Sequence, residues 1–569
     1  MIKNFIERAK RGESLYMCEV RGVFASENPV GVGCCIETAS GESRQWRIPL
    51  PLCGSYESME EKEFVRNYFY ANIYNIISTY GGKHMVLNSD GCDEFAVALC
   101  AGLNDIFQVK TPRIDRSGFG KCLNVTDRIN AAMGFAPFYF IISHNTEGMC
   151  NKITKKQTDS ISSLRKAVKS ASSAALLGLD IGGTDIKAVC VSDGRIISFK
   201  EYDWNPAEMT NIAQLTDGIK LVIEDICDKL GNSILPDGIG VGFPDVIIMN
   251  KIVGGETLKT RGIRKVSPDY EAEFAELLKL NDMLLSYCKP DGVINITNDG
   301  SLAAFTAAVE LAHSNRAEEV VHGVFAHTLG TELGTGWVDE NGEIPQIPLE
   351  IYNCVIDLGN YPAREFKPFD LRSSLNFNTG IAGTMQKYAS QSGAYRLALE
   401  YFDGKEDKGT VPLSCRDKTE EPSPCLRDEL FEKGFIEETE NGIYVITSPA
   451  DKRKPLLEFI MKLADEGQPK AEKVFREIGK CLAATYKETE FLLNPEAKRR
   501  ILYGRFVKSQ KCLQLLRDGA HEMSNIIMEA GDDNLAFTPF MQALRDNPDY
   551  TVAQFGQAVG AVYYAALKL

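Results

Sequence analysis

Along the first third of the chain the apolar positions change period several times. Residues 15–55 alternate apolar and polar between Gly, Pro and Asn punctuation, a spacing that predicts several strands. Residues 60–79 take helical spacing, with Phe64, Tyr68, Tyr70 and Tyr74 along one side, and an aromatic stripe of this kind belongs to a core. A short strand over residues 85–87 and a helix near residues 93–103 follow. Residues 113–128 are the most polar part of this region. Gly118-Phe119-Gly120-Lys121 could cradle an anion, but the full P-loop spacing is missing, so a solvated loop is expected there. Residues 151–175, rich in Ser and Lys, could form a short helix in their middle but read by composition as an exposed connector, and place a boundary between a 1–150 module and the remainder.

From residue 176 the pattern becomes more specific. An apolar run ends in Asp180, a Gly182-Gly183-Thr184 turn follows, and a second run spans residues 186–191. Asp193-Gly194 supplies a two-residue hairpin turn before a third run, so residues 176–200 predict three antiparallel strands. Adjacent glycines let a backbone approach a ligand closely, and turn N–H groups can form a concave anion site. Thr184 adds a hydroxyl, Lys187 a charge, and Asp180 a carboxylate able to hold a hydrated divalent ion near phosphate. The bland alternative is a tight hairpin whose glycines serve geometry only.

Further on, residues 210–230 have helical spacing. Residues 239–245 read as a buried strand entering a Gly- and Pro-shaped loop. A second strand ends at Asn298-Asp299 and a helix over residues 302–313 follows. Such a junction holds a carboxylate at a cleft, where it could take a proton from a hydroxyl; it equally suits an Asp that caps the helix. Gly330-Thr331-Glu332-Leu333-Gly334-Thr335-Gly336 is a second glycine-rich turn between apolar runs. Residues 403–455 form an irregular acidic insertion with a hairpin about Asn441-Gly442, residues 465–491 a long helix, and residues 551–567 a last one.

The order D-x-G-G-T-x-x-K at Asp180–Lys187 resembles the first phosphate motif of the sugar kinase, hsp70 and actin superfamily, and the chain from about residue 176 resembles its ROK sugar kinases. That resemblance implies an α/β fold: a two-lobed, actin-like ATPase (ribonuclease H-like) kinase domain behind an additional N-terminal α/β module. Lobe 1 would span residues 176–300, completed by the C-terminal helix 548–569, and lobe 2 residues 301–547. Gly182, Gly183, Thr184, Lys187, Gly330 and Thr331 would bind ATP phosphates, with Mg²⁺ near Asp180 through water. Asp299 would be the general base, Asn298, Glu350 and Thr257 sugar ligands, and Gly504 with Arg505 the adenosine region. The family's zinc ligands are replaced by Asn353, Phe377, Thr379 and Thr384, so the loop is expected without zinc. The implied activity is ATP-dependent phosphorylation of a hexose hydroxyl, commonly the 6-OH; the alternative is an inactive sugar- or nucleotide-binding regulator on the same fold.

Composition changes this picture little. At 569 residues the chain has room for two to four domains, and 44% hydrophobic with 25% charged residues is the balance of a soluble globular protein. A net charge of −15 argues against general binding to nucleic acid or an anionic membrane. Sixteen cysteines without a C-x-x-C pair read mostly as buried thiols. The N-terminus lacks a signal-peptide core and no stretch has the apolar length of a membrane span, so a cytoplasmic protein is expected, with a homo-oligomer left open. Residues 172–569 are expected to fold without the N-terminal module.

Overall fold

The computed structural model describes the chain except residues 28–29, 144–158, 232–233, 256–257, 361–365, 367–369, 403–425, 441–443 and 448–452. Thr257 and most of the acidic insertion therefore lie outside the described residues. So do Asn441-Gly442, although the strands Ile436–Glu438 and Tyr444–Ile446 on either side of them pair antiparallel.

After a first helix, Ile2–Lys10, the N-terminal region forms a second one where strands were expected: α1 (Met17–Glu27) buries Met17, Val20 and Phe24, a 3.6-residue spacing obscured by the flanking alternation. β1 (Gly31–Glu37) and β2 (Ser43–Pro49) form a hairpin. α2 (Met59–Tyr80) starts at a capping box in which Ser58 and Glu61 satisfy each other's backbone N–H groups. β3 (His84–Asn88), a helix over Glu94–Ala101 where one was expected, α3 (Cys122–Ala132) and β4 (Tyr139–Ile142) follow, with strand order β2-β1-β3-β4. The solvated loop expected over residues 113–128 is not what forms. Phe119 packs on Tyr74 with ring centroids 5.6 Å apart, Arg116 pairs with the buried Asp127 at 2.7 Å, and most of α3 is buried.

Nor is the described part of the connector, residues 159–175, an exposed linker. α4 (Ser160–Ala171) is capped by Asp159 and buries Leu164, Ala167, Val168 and Ala171, a helical i, i+3, i+4, i+7 stripe masked by Ser and Lys on its other faces. Its Arg165 Nε donates to the Ala312 carbonyl at 2.9 Å, fixing it against the body of the protein.

Lobe 1 is a five-stranded sheet made from β5 (Leu176–Ile181), β6 (Asp185–Ser192), β7 (Arg195–Asp203), β8 (Gly238–Phe243) and β9 (Val293–Asn298). Its order is β9-β8-β5-β6-β7, with β5, β6 and β7 antiparallel to one another in turn and β5, β8 and β9 parallel. Asp193 (φ 49°) and Gly194 (φ 70°) make the β6–β7 turn with both residues left-handed, the geometry that suits the strand twist.

α5 (Asp299–Ala312) leads into lobe 2. There β10 (Val324–Leu329) and β11 (Leu333–Val338) form a hairpin. After α6 (Pro469–Leu493), β12 (Arg499–Gly504) and β13 (Ile527–Ala530) add parallel strands, giving the order β11-β10-β12-β13. This repeats the lobe 1 order apart from its third strand. A hairpin followed by two parallel strands, made twice, is the two-lobed actin-like architecture. α7 (Val552–Ala566) closes lobe 1: methyl groups on Gly178 and Gly240 would lie 2.0 and 1.9 Å from the carbonyl oxygens of Ala558 and Ala561, so the helix backbone lies directly on the sheet.

The core of the N-terminal region is continuous with that of lobe 2. Phe24, Tyr68, Ile73 and Leu87 belong to the same continuous apolar cluster as Val355, Tyr388, Leu482 and Phe506 of lobe 2. Within the contact, Arg21 pairs with Glu488 at 2.9 Å, Asn72 and Asn75 bond to that pair, and Asn75 also bonds both ways to the Val355 backbone. A second, smaller apolar cluster joins Val125 and Ile129 of α3 to Val246, Ile248 and Val253 of lobe 1. Residues 1–143 are therefore built into lobe 2 and touch lobe 1.

Candidate functional site

The parallel strands bring the site together. Asp180, Phe243 and Asn298 lie at the carboxyl ends of β5, β8 and β9, and Leu329 is paired with Gly504 at the ends of β10 and β12. Ligands in such sheets bind beyond the carboxyl ends of the strands. Here the two sets of ends open into one cleft of about 1340 Å³. Of the residues singled out in the sequence, Asp180, Gly182, Lys187, Asn298, Asp299, Thr331 and Glu350 line it. Gly330, Gly504 and Arg505 line an adjoining cavity of about 350 Å³, whose walls share Asp180, Thr328 and Gln557 with the cleft. Gly183 and Thr184 form the exposed crest of the first turn and line neither cavity.

The junction at Asp299 answers the question of which residue caps the helix. Asn298 is the cap: its Oδ1 accepts the backbone N–H groups of Gly300 (2.9 Å) and Ser301 (3.3 Å), and its Nδ2 donates to the Asp245 carbonyl. Asp299 is the first helical residue, and its carboxylate, which accepts the Gly300 N–H through Oδ1, lies on the cleft wall. The helix start is held against the second hairpin by bare backbone. A methyl group on Gly336 would lie 1.8 Å from the Gly300 carbonyl oxygen, so the last glycine of the second motif seats Asp299.

Electrostatics set Asp180 apart. Burial pushes its carboxyl up to about 7, the charge of Asp299 adds to the rise, and Lys187 and Lys259 oppose it. A carboxylate held so close to a second acid is one that a divalent cation would relieve. Asp180 and Asp299 are the carboxylates of the cleft that could hold a hydrated divalent cation. The Lys187 ammonium is held by Asp185 and, at 3.7 Å, by Glu201.

Glu350 is fixed from two sides, by the Tyr352 hydroxyl at 2.9 Å and by the Asn353 amide at 3.1 Å. In the loop that resembles the zinc loop, Asn376 ties the replacement residues together. Its Nδ2 donates to Asn353 Oδ1 (2.9 Å) and Thr384 Oγ1 (3.4 Å), and its Oδ1 accepts the Thr379 N–H (3.2 Å). These bonds hold the loop together through side-chain amides and hydroxyls. Arg505 is ion-paired with Glu458 at the mouth of the smaller cavity.

Several site residues were not legible in the sequence as such. Asp245 is buried on the cleft wall, accepts the N–H groups of Val246 (2.7 Å) and Gly255 (3.0 Å), and is pushed up to about 6 by burial. The Gly-Phe-Pro-Asp loop marked its location, but nothing local marked its place on the cleft wall. Val125 of α3 also lines the cleft, and Arg128, one turn further on, bonds the Gly254 carbonyl and pairs with Glu271 at 2.6 Å. No sequence pattern could have placed α3 there.

No family model matches the sequence, and the search of curated proteins returned no match. Solved structures do match. A ROK family glucokinase from Streptomyces griseus in complex with glucose and AMPPNP is 17% identical, covering 68% of this chain and 98% of its own, with a TM-score of 0.39. A ROK hexokinase from Thermus thermophilus is 13% identical with the same coverages and TM-score. A ROK family transcriptional regulator, homologous to the Escherichia coli MLC protein, is 14% identical over 69% of this chain and 80% of its own, with a TM-score of 0.39. At these scores the fold rests on the duplicated strand order described above.

Proposed function

We propose that this chain is an ATP-dependent sugar kinase of the ROK type, with the acceptor in the large cleft and adenosine in the adjoining cavity. The observation that carries the reading is the seating of Asp299. Its helix is already capped by Asn298, so the carboxylate is left on the wall of a cleft shared with Asp180, Gly182 and Thr331.

On this reading the acceptor hydroxyl, commonly the 6-OH of a hexose, gives its proton to the Asp299 carboxylate as its oxygen attacks the γ-phosphorus. Glu350, held by Tyr352 and Asn353, orients the sugar, while the backbone at Gly182 and Thr331 grips the phosphates from the two lobes. Mg²⁺ bound with ATP would counter phosphate charge beside Asp180. Phosphoryl transfer asks for positioning and charge stabilisation more than covalent help, and two facing hairpins supply both. Zinc is not part of the proposal, since the Asn376 network holds the loop. The whole machinery belongs to a cytoplasmic enzyme acting on small molecules.

An ADP-release assay of purified protein against a panel of sugars tests the activity. Asp299→Asn should lower kcat by at least about 10²-fold while nucleotide binding persists, because an amide keeps the shape but cannot take the proton. A variant retaining more than about a tenth of wild-type kcat overturns the base assignment. Sugar and nucleotide binding without turnover in the wild type would favour a sensor over an enzyme.

A further inference from the structure

Lys187, the cation expected to meet phosphate in the first motif, lines the cleft. Another lysine stands on the turn itself. A methyl group built on Gly183 would lie 3.5 Å from Cε of Lys259, which lines the cleft from the turn Leu258–Thr260. That turn is rigidly based. Thr260 is buried, and the next helix is seated so closely that a methyl group on Gly262 would lie 2.4 Å from the Met209 carbonyl oxygen. The charge of Lys259 is felt by both Asp180 and Asp245, where it opposes the effect of burial. It therefore sits among the phosphate turn, the carboxylate suited to hydrated Mg²⁺, and the Asp245 wall of the acceptor cleft.

We infer that Lys259 is a further catalytic residue, whose ammonium contacts the γ-phosphoryl group in flight between ATP and the acceptor. This rests on the kinase reading above. The bond from the β,γ-bridging oxygen to the γ-phosphorus breaks and leaves ADP. The acceptor oxygen forms the new bond, and its proton goes to Asp299. Charge on the three equatorial oxygens of the transferring group needs a fixed cation from the protein side. Lys259 supplies it from an element outside both glycine-rich hairpins. A point charge on a flexible stem suits a group that shifts during transfer.

The test uses full-length wild type, Lys259→Met and Lys259→Arg. Steady-state kinetics are combined with calorimetric titration of AMPPNP–Mg²⁺ and ADP–Mg²⁺. Lys259→Met should lower kcat by about 10²–10³-fold with little change in sugar KM, since the contact strengthens in the transition state. It should also lose any preference for AMPPNP over ADP, and Lys259→Arg should recover part of both. If Lys259→Met keeps kcat within about threefold of wild type, or keeps its AMPPNP-to-ADP ratio, the inference fails while an active wild type leaves the kinase reading standing. A wild type that binds neither nucleotide overturns the kinase reading and this inference together. If it binds them without turnover, the kinase reading fails, and an AMPPNP-to-ADP ratio unchanged in Lys259→Met would remove the phosphate contact as well.

Discussion

At the scale of single residues the buried acids of the cleft make stability depend on pH in an uncommon direction. Asp180 is raised to about 7 and Asp245 to about 6, with burial as the main cause in each. A carboxyl whose folded value lies above its unfolded one binds more protons in the native state between the two values. Its contribution is favourable at acid pH and declines as pH rises through that window. The chain without nucleotide should therefore lose stability from about pH 4 to 7, as far as Asp180 governs it. Asp180→Asn should melt at a higher temperature than wild type at pH 8 and show a shallower decline over this range. Thermal denaturation across pH checks this, and parallel curves for the two proteins would refute it. Mg²⁺–ATP should stabilise wild type more than the variant. Asp180 and Asp299 could be singled out in the sequence because one stands near a strand end beside a glycine turn and the other at a strand-to-helix junction. Asp245, Lys259 and Val125 were hidden because tertiary packing alone brings them to the cleft.

At the scale of elements, the position of α5 is set by glycine backbone rather than by side chains. Gly336→Ala would push a methyl group into the Gly300 carbonyl and displace the helix start that carries Asp299. A loss of about 1–3 kcal/mol in stability is expected from overpacking, together with a fall in kcat. Denaturant titration with kinetics measures both; an alanine accommodated with unchanged kcat would mean that the hairpin and helix move independently. The long strands and helices of the lobes were legible because their periods are sustained. α4 was not, because its buried stripe of Leu164, Ala167, Val168 and Ala171 uses small residues amid Ser and Lys. α1 was lost for a related reason: its three buried apolar positions are too few to outweigh the alternating residues around it.

At the scale of the whole molecule, the expectation that residues 172–569 fold alone meets a physical obstacle. Truncation would expose the lobe 2 surface buried under α1 and α2, leave Glu488 buried without Arg21, and remove α4 from lobe 1. The truncated chain should aggregate or bind ANS strongly. Soluble, monodisperse protein with native near-ultraviolet dichroism would show that the shared core is dispensable. In the full chain, Arg21→Ala should cost about 3–5 kcal/mol, because a fully buried carboxylate loses its partner. Chemical denaturation measures that loss. Composition marked a change of character near residue 150, yet it carried no information about contacts made hundreds of residues away.

That shared core also has a consequence in time. A chain is made from its N-terminus, and domains ordinarily fold as they emerge. Here residues 1–143 cannot complete the cluster that holds Phe24, Tyr68 and Ile73 until lobe 2 through Glu488 has been synthesised. At 5–20 residues per second that interval is roughly 20–70 s. Throughout it the nascent chain would carry an uncovered aromatic surface on the ribosome, so yield in the cell should follow holdase chaperone supply more closely than equilibrium stability.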